Sequence, residues 1–304
     1  MSLPFITVVV PTYRRPVQLA ALLDALARQD YPRASFEVVV VDDGSERAPE
    51  REVEVAARAI DARLVVQPHA GPSAARNRAA RLARGEYLAF TDDDCAPEPA
   101  WLTALARRLV ETPPRVVGGR TVNALERNLC AATSQLTTEV VYEYYNPDPS
   151  AARFFASNNL AAPAREFREA GGFDERYHWA EDRDFCDRWR ARGFGMTYAP
   201  DAVVRHAHHL SPRTLWRQHF GYGRGAWNFH RGRKLRGAAE GFRPDLAFYR
   251  KLLTAPLSER PLGRAATLAA LVVWSQAANT AGFIYERARA ARGADAHGRG
   301  ARQD

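Results

Sequence analysis

Tyr87-Leu88-Ala89-Phe90-Thr91-Asp92-Asp93-Asp94 is the stretch whose reading decides the fold. A short apolar run ends abruptly in three acids, the pattern of a buried strand whose carboxyl end opens towards water or a ligand. Upstream the same grammar repeats. Phe5 to Val10 reads as a strand leaving through Pro11-Thr12-Tyr13, and Phe36 to Val41 as a second leaving through Asp42-Asp43-Gly44-Ser45. Leu64 to Val66 continues the series. Between these runs Pro16 opens a helix with Leu19, Leu22, Leu23 and Leu26 on one face, and Gly71-Pro72-Ser73 opens an Ala- and Arg-rich helical segment that Ser73 is placed to cap. Strands alternating with helices predict βαβ units around a mostly parallel sheet. Ligands in such sheets bind at the carboxyl ends of strands.

The composition narrows the class. With 304 residues, 46% hydrophobic and 26% charged, the chain folds as one large domain or as a domain plus an extension, and wholesale disorder is excluded. Cys95, Cys130 and Cys186 form no C-x-x-C pair, which speaks against a disulfide framework or zinc knuckle and fits a reducing cytosol. The first apolar run is cut by Pro11, too short for a signal peptide or membrane span. A net charge of +8 favours anionic partners. The arginines are spread along the chain and not interleaved with aromatics, so nucleotide phosphate and lipid headgroups are expected and nucleic acid is not.

Beyond residue 115 the pattern changes. Val116 to Pro163 mixes apolar stretches with a Tyr144-Tyr145-Asn146-Pro147-Asp148-Pro149 break and is where structure specific to a second ligand is expected to begin. From Ser211 the chain reads as helix. Ala265 to Tyr285 lacks any charged side chain and is long enough to cross a bilayer, but Thr267, Ser275, Gln276, Asn279 and Thr280 dilute it. A buried or interface-lying helix is the expectation, docked on an anionic membrane surface or on a second copy. The expected division is a domain over residues 1–210, with halves at about 1–115 and 116–210, a helical extension over 211–290 and a disordered tail over 291–304.

Besides the turns at Pro11-Thr12-Tyr13 and Asp42-Asp43, each of which also reads as a plain turn, four groups of residues carry chemistry. Three adjacent carboxylates, Asp92, Asp93 and Asp94, repel one another unless something neutralises them, and a divalent cation such as magnesium or manganese does so; the plainer alternative is a solvated acidic turn. Arg76 and Asn77 lie on the helix after Gly71, where an arginine reaches phosphate oxygens, whereas Arg78 and Arg81 suit a solvated basic face. Gly171-Gly172-Phe173 precedes Trp179-Ala180-Glu181-Asp182, after which Phe185, Cys186 and Trp189 mark a helix's apolar face. The helix dipole accounts for Glu181 and Asp184 there and leaves Asp182 open. Finally, His206, His208 and His209 follow a short strand; neutral imidazole ligates transition metals, and His206 is the first candidate.

In this order the motifs resemble the inverting glycosyltransferases of family two, over residues 5 to 230: Pro11, Asp42-Asp43, Arg76-Asn77, Asp92-x-Asp94, Gly171-Gly172-Phe173 and Glu181-Asp182. The resemblance implies an α/β GT-A fold with a C-terminal helical extension. It implies a nucleotide held by Pro11, Thr12, Tyr13, Asp43 and Arg76, with Asp42, Asn77, Asp92 and Asp93 on the same side, and a diphosphate on a divalent metal (Mn or Mg) bound through Asp92 and Asp94 with His206. Asp182 matches the general base, with Glu181 as a sharer, and Gly171, Gly172 and Trp179 fall on the acceptor or sugar side. The implied partners are a nucleotide-sugar donor, with uridine favoured, and a carbohydrate, lipid-linked or small-molecule acceptor. The implied setting is polysaccharide or glycolipid biosynthesis in the cytoplasm or at the inner face of the cell membrane.

Rival readings fare worse on context. Gly221-Tyr222-Gly223-Arg224-Gly225-Ala226 fits a dinucleotide fingerprint formally, yet follows a stretch that reads as helix rather than strand. A nucleotidyltransferase calls for glycine after the first strand, where this chain has Pro11-Thr12-Tyr13-Arg14-Arg15. An inactive membrane-associated scaffold with the same fold has no use for Asp92, Asp94 and Asp182.

Overall fold

The computed structural model describes residues 3–110, 114–237, 245–258 and 261–300, with side chains as far as Arg292 at the C-terminal end. It divides into two units, Met1–Leu125 with Tyr142–His208 and Glu126–Val141 with His209–Asp304. The expected stretch 1–210 is therefore interrupted by residues 126–141. The reason is apolar packing: Leu136 and Val140 are buried in one cluster with Leu252 and Val272.

Among its described residues the first unit holds eight strands, β1 (Ile6–Thr12), β2 (Phe36–Asp42), β3 (Ala62–Val66), β4 (Tyr87–Phe90), β5 (Cys95–Pro97), β6 (Arg115–Asn123), β7 (Leu160–Pro163) and β8 (Gly195–His206). They form one sheet in the order β3-β2-β1-β4-β7-β6-β8-β5. The first four are parallel, β7 is antiparallel to both β4 and β6, β6 and β8 are parallel, and β5 is antiparallel to β8. Every residue of β1 and β2 is buried, as strands covered on both faces require. Helices α1 (Pro16–Ala27), α2 (Glu50–Ala56), α3 (Pro72–Leu82), α4 (Trp101–Leu109), α5 (Leu129–Tyr145), α6 (Ala164–Glu169) and α7 (Glu181–Ala191) punctuate the strands.

Helix α1 shows what dominates. Its N-cap, Arg15, makes no side-chain capping bond, but Leu19, Leu22, Leu23 and Leu26 are all buried. Each buried leucine contributes roughly 1.5–3 kcal/mol, against about 1 kcal/mol for a missing cap. Packing decides. At α3 the expected cap is displaced: Gly71 at φ +92° takes the N-cap and Ser73 falls inside the first turn.

Register positions the site. Thr12 pairs with Asp42 and Val9 with Phe90, so the turns after β1, β2 and β4 emerge on one edge of the sheet. Cys95 pairs with His206, which carries the end of β8 to the residue after Asp94.

In the second unit α8 (Pro212–Leu235), α9 (Leu246–Thr254) and α10 (Leu262–Gly300) follow. Ser211 and Thr214 close a capping box on α8. A Cβ on Gly223 would lie 1.8 Å from the Asn279 carbonyl oxygen, and one on Gly282 would lie 2.0 Å from that of Phe220. The glycines that mimic a dinucleotide fingerprint thus lie inside a helix, where they let α8 and α10 meet at backbone distance. The backbone of α10 is helical to Gly300, through most of the stretch where composition predicts a disordered tail; residues 301–304 lie outside the described ones.

Candidate active site

The acids that end β4 are held apart by three different partners. Asp92 accepts a hydrogen bond from Arg76 Nη2 at 2.6 Å. Asp93, almost fully buried, accepts from Thr12 Oγ1 at 2.8 Å and from Arg15 Nη1 at 3.1 Å. Asp94 accepts from the same Arg15 nitrogen at 3.0 Å, and its other oxygen lies 3.2 Å from His206 Nε2. These environments separate their acidities. Burial lifts the Asp93 carboxyl to about 6, whereas for Asp94 burial is overcome by the hydrogen bond and charge of His206 and by Arg15, which hold it at about 2. Burial works against a charged His206, but Asp94 raises it above the ordinary imidazole value. His208, its ring 5.1 Å from that of His206, is pushed down to about 4, first by burial and then by His206, and is neutral at pH 7. His209 is exposed.

Asp94, Cys95 and His206 bring ligand atoms within 4.8 Å of one another. Burial pushes the Cys95 thiol up, so the Asp94 carboxylate and the His206 imidazole are the readier donors, with Asp92 and Asp93 in the same turn. The carboxylate oxygens suit manganese or magnesium, and the imidazole suits a transition ion.

Opposite these acids in sequence, α7 begins with a second pair. Ala180 precedes it at φ +69°, a left-handed conformation that costs alanine about 1–2 kcal/mol. Arg14, at φ +56°, is the other non-glycine residue in this region among the described residues, and it follows the turn after β1. Strain of this kind collects at functional sites. Glu181 Oε1 accepts from Arg76 Nη1 at 3.2 Å, so one buried guanidinium ties the β4 acids to the α7 acids. Asp182 accepts from the Arg183 amide at 2.7 Å. Burial raises the carboxyls of both, and the charge of Asp182 raises Glu181 further.

Several expected site residues spend their polar groups on architecture. The Asn77 amide donates to the Phe173 carbonyl at 2.7 Å and accepts from the Phe173 N–H at 2.9 Å, clamping the Gly171-Gly172-Phe173 turn. Both glycines have positive φ, and a Cβ on Gly172 would lie 2.5 Å from Asn77 Oδ1. Asp42 accepts from the Ser45 amide and hydroxyl, closing its own turn. Asp43 binds the following loop, accepting from Gln67 Nε2, Ala70 N and Gly71 N at 2.7–2.9 Å, with His69 Nδ1 2.8 Å away. That loop stacks the His69 ring on Tyr13 at 4.5 Å. Pro11 is buried at the end of β1, and Trp179 is half-buried before α7.

Sequence reasoning missed Arg15, His69 and Cys95. Nothing local distinguishes Arg15, on the acids, from Arg14, which pairs with Glu46. The only hint is that both follow a strand end in a chain with acids at a neighbouring one.

Comparison with known proteins supplies the family. The profile described as "Glycosyl transferase family 2" matches residues 7–163, more than half of the chain. The chain belongs to glycosyl transferase family 2. It is similar to the pre-mycofactocin glycosyltransferase of Mycobacterium tuberculosis, 29% identical over 213 residues that cover 68% of this chain and 44% of that protein. It is also similar to glycosyltransferase AglE of Haloferax volcanii, 26% identical with 67% of each chain covered. Hyaluronan synthase of Pasteurella multocida is 30% identical over 68% of this chain and 24% of its own length. The chain thus spans less than half of the mycobacterial relative and a quarter of the synthase. Among solved structures, the mannosyltransferase PcManGT from Pyrobaculum calidifontis in complex with GDP-Man and Mn2+ superposes with a TM-score of 0.66 at 22% identity, covering 94% of this chain and 88% of that one. S. aureus TarS 1-349 in complex with UDP-GlcNAc gives 0.53 at 19% identity, with 95% and 92% covered. At these identities the likeness is one of fold: the family 2 domain here has the GT-A architecture, a mostly parallel sheet flanked by helices.

Proposed function

We propose that this family 2 domain transfers one sugar from a nucleoside diphosphate sugar, with uridine favoured, to an acceptor hydroxyl, inverting the anomeric centre. The observation that carries the reading is Arg76, whose guanidinium joins Asp92 at 2.6 Å to Glu181 at 3.2 Å. It links a candidate metal and phosphate cluster to Glu181, the chain neighbour of the candidate base Asp182, which supports a reading in which both act on one bound sugar.

On this reading Tyr13, Asp43 and the loop through His69 receive the nucleoside, and Asp92, Asp94 and His206 hold a divalent cation. That cation supplies Lewis-acid stabilisation of charge on the departing diphosphate. Arg76 and Arg15 add fixed positive charge to the same region. Asp182, held by a backbone amide and made more basic by burial, takes the proton from the acceptor hydroxyl as it attacks the anomeric carbon from the face opposite the diphosphate. One displacement inverts that centre. Asp182 carries the proton away, and Glu181 shares it by proximity. We place the activity in the cytoplasm, where nucleotide sugars and unpaired cysteines coexist; Cys95, Cys130 and Cys186 are all free thiols.

The test is a thermal-shift panel of UDP, GDP and TDP with and without Mn2+, followed by transfer from the matching sugar nucleotide to a simple alcohol acceptor and NMR assignment of the product anomer. A metal-dependent shift with one nucleotide and an inverted product are expected. A product of retained configuration, or no shift with any nucleotide, overturns the reading.

A further inference from the structure

The arginines are spread along the chain, but the charge balance is not. Residues 209–304 hold 17 Lys and Arg against 6 Asp and Glu, a net +11, while residues 1–208 hold 26 against 29, a net −3. The whole of the chain's positive excess therefore falls in its C-terminal third.

That third also bares apolar side chains. Helix α10 from Leu262 to Arg292 is long and apolar enough to cross a membrane, yet only 28% of its most apolar part is buried. Val273 and Ile284 are 57% and 58% exposed on it, flanked by half-exposed Trp274 and Tyr285. Leu253 and Leu257, before α10, add to the exposed apolar surface of this unit. Tryptophan and tyrosine with one polar end suit a membrane–water boundary. Arg287 and Arg292 are exposed beyond the apolar stretch.

We propose that α10 docks this unit on an anionic lipid bilayer, lying in the interface rather than crossing it. A crossing is disfavoured by what α10 is tied to. Glu286 is buried against Arg224 Nε at 2.7 Å and Arg289 Nη2 at 2.9 Å, and the Gly223 and Gly282 contacts join α10 to α8. Helix α8 exposes Arg213, Arg217 and Arg231, which hydrocarbon would not tolerate. A second copy is the rival occupant, but it would bring together two chain segments that each carry a net +11, whereas anionic headgroups neutralise that charge. This inference does not depend on the sugar-transfer reading and fails or survives separately.

The experiment is flotation of the whole protein with vesicles of phosphatidylcholine alone or mixed with phosphatidylglycerol, in low and high salt, alongside size-exclusion light scattering. The expected result is a monomer that floats only with the anionic vesicles and is released by salt. Val273→Asp/Ile284→Asp and Arg287→Glu/Arg292→Glu should each lower partitioning at least roughly tenfold, with circular dichroism and thermal unfolding like the parent's to show that the variants fold. Equal flotation with both vesicle types, or resistance to salt and alkaline extraction, overturns the interfacial anionic assignment. So does a dimer that ignores vesicles and is broken by Val273→Asp/Ile284→Asp, which would make a second copy the occupant. A monomer that floats with neither vesicle also overturns it.

Discussion

Replacing Asp182 by asparagine removes a proton acceptor while keeping the side chain's shape. In the parent the carboxylate accepts from the Arg183 amide at 2.7 Å and also from the backbone of Ser157. Asparagine keeps one carbonyl oxygen and puts an NH2 in place of the other, so at most one of those bonds is lost, about 1 kcal/mol, or roughly 2–4 °C in Tm for a domain of this size. The catalytic loss should be far larger: general-base removal costs about two to four orders of magnitude in turnover, which is about 3–5 kcal/mol in the barrier. Donor affinity should change little, because Asp182 reaches the donor side only through its charge on Arg76, which Asp92 and Glu181 still hold in place. The sign of the pH dependence follows from burial. A base acts unprotonated, and burial raises the carboxyl, so parental turnover should fall as pH drops through a midpoint above the ordinary carboxylate range near 4. The assay is single-turnover transfer across pH for the parent, Asp182→Asn and Glu181→Gln, with donor affinity by calorimetry. Near-parental turnover in Asp182→Asn with loss in Glu181→Gln would move the base to Glu181; activity in both would refute a catalytic role for the start of α7.

The remaining expectations concern metal and scaffold. Because Asp94 holds His206 above its ordinary value, a cation ligated there displaces a proton: affinity for Mn2+ should climb as pH rises through the His206 value and then level, with proton release visible by calorimetry in buffers of different ionisation enthalpy. In metal-free protein the raised His206 and lowered Asp94 values mean that the pair stabilises the fold fully between about pH 4 and 6.5, less as pH rises through the folded His206 value, readable as a falling Tm in chelator, and less as pH falls towards the folded Asp94 value of about 2. Asp94→Asn should weaken Mn2+-dependent nucleoside diphosphate binding more than about tenfold; undiminished binding of the diphosphate by the parent in chelator would refute the metal site. Arg76→Met strands Asp92 and Glu181, so stability should drop by about 3–5 kcal/mol, roughly 6–20 °C in Tm, and an unchanged Tm would show that the bridge contributes nothing. Gly172→Ala drives a methyl group against Asn77 Oδ1 in a left-handed backbone, and urea unfolding should show a loss of about 1–3 kcal/mol.

What the sequence made legible follows from how burial writes itself into residues. Strands β1 and β2 are covered on both faces and appear as unbroken apolar runs; α1 and α7 show their inward stripes because Leu19, Leu22 and Leu26, and Phe185, Cys186 and Trp189, face a core. Strand β7 left no such mark. Leu160-Ala161-Ala162-Pro163 is four residues of mostly small side chains, and it becomes a central strand only by pairing with β4 and β6, partners distant in sequence. The Tyr144 to Pro149 break was legible as a break, but not as the end of a helix whose first turns pack in the second unit. Residues 111–113, just before β6, lie outside the described residues.

The same logic separates what was legible in the site from what was not. Residue types disclose Asp92, Asp93 and Asp94, because three acids at the end of a buried strand need a neutralising partner; Asp182, in the first turn of α7 where the helix dipole favours acids anyway, is singled out by the family resemblance alone. Their partners are set by three-dimensional register: Arg76 reaches Asp92 from α3, Arg15 reaches Asp93 and Asp94 from the turn after β1, and His206 reaches Asp94 because β8 lies against β5. These cations already offset much of the cluster's negative charge, so a bare divalent ion gains less there than a count of three aspartates suggests. A diphosphate arriving with the ion restores negative charge and gives the guanidinium of Arg15 a second anion to face, since its side chain is half-exposed. Metal and nucleotide should therefore bind as a pair, each strengthening the other by the same factor, because coupling between two ligands of one protein is reciprocal.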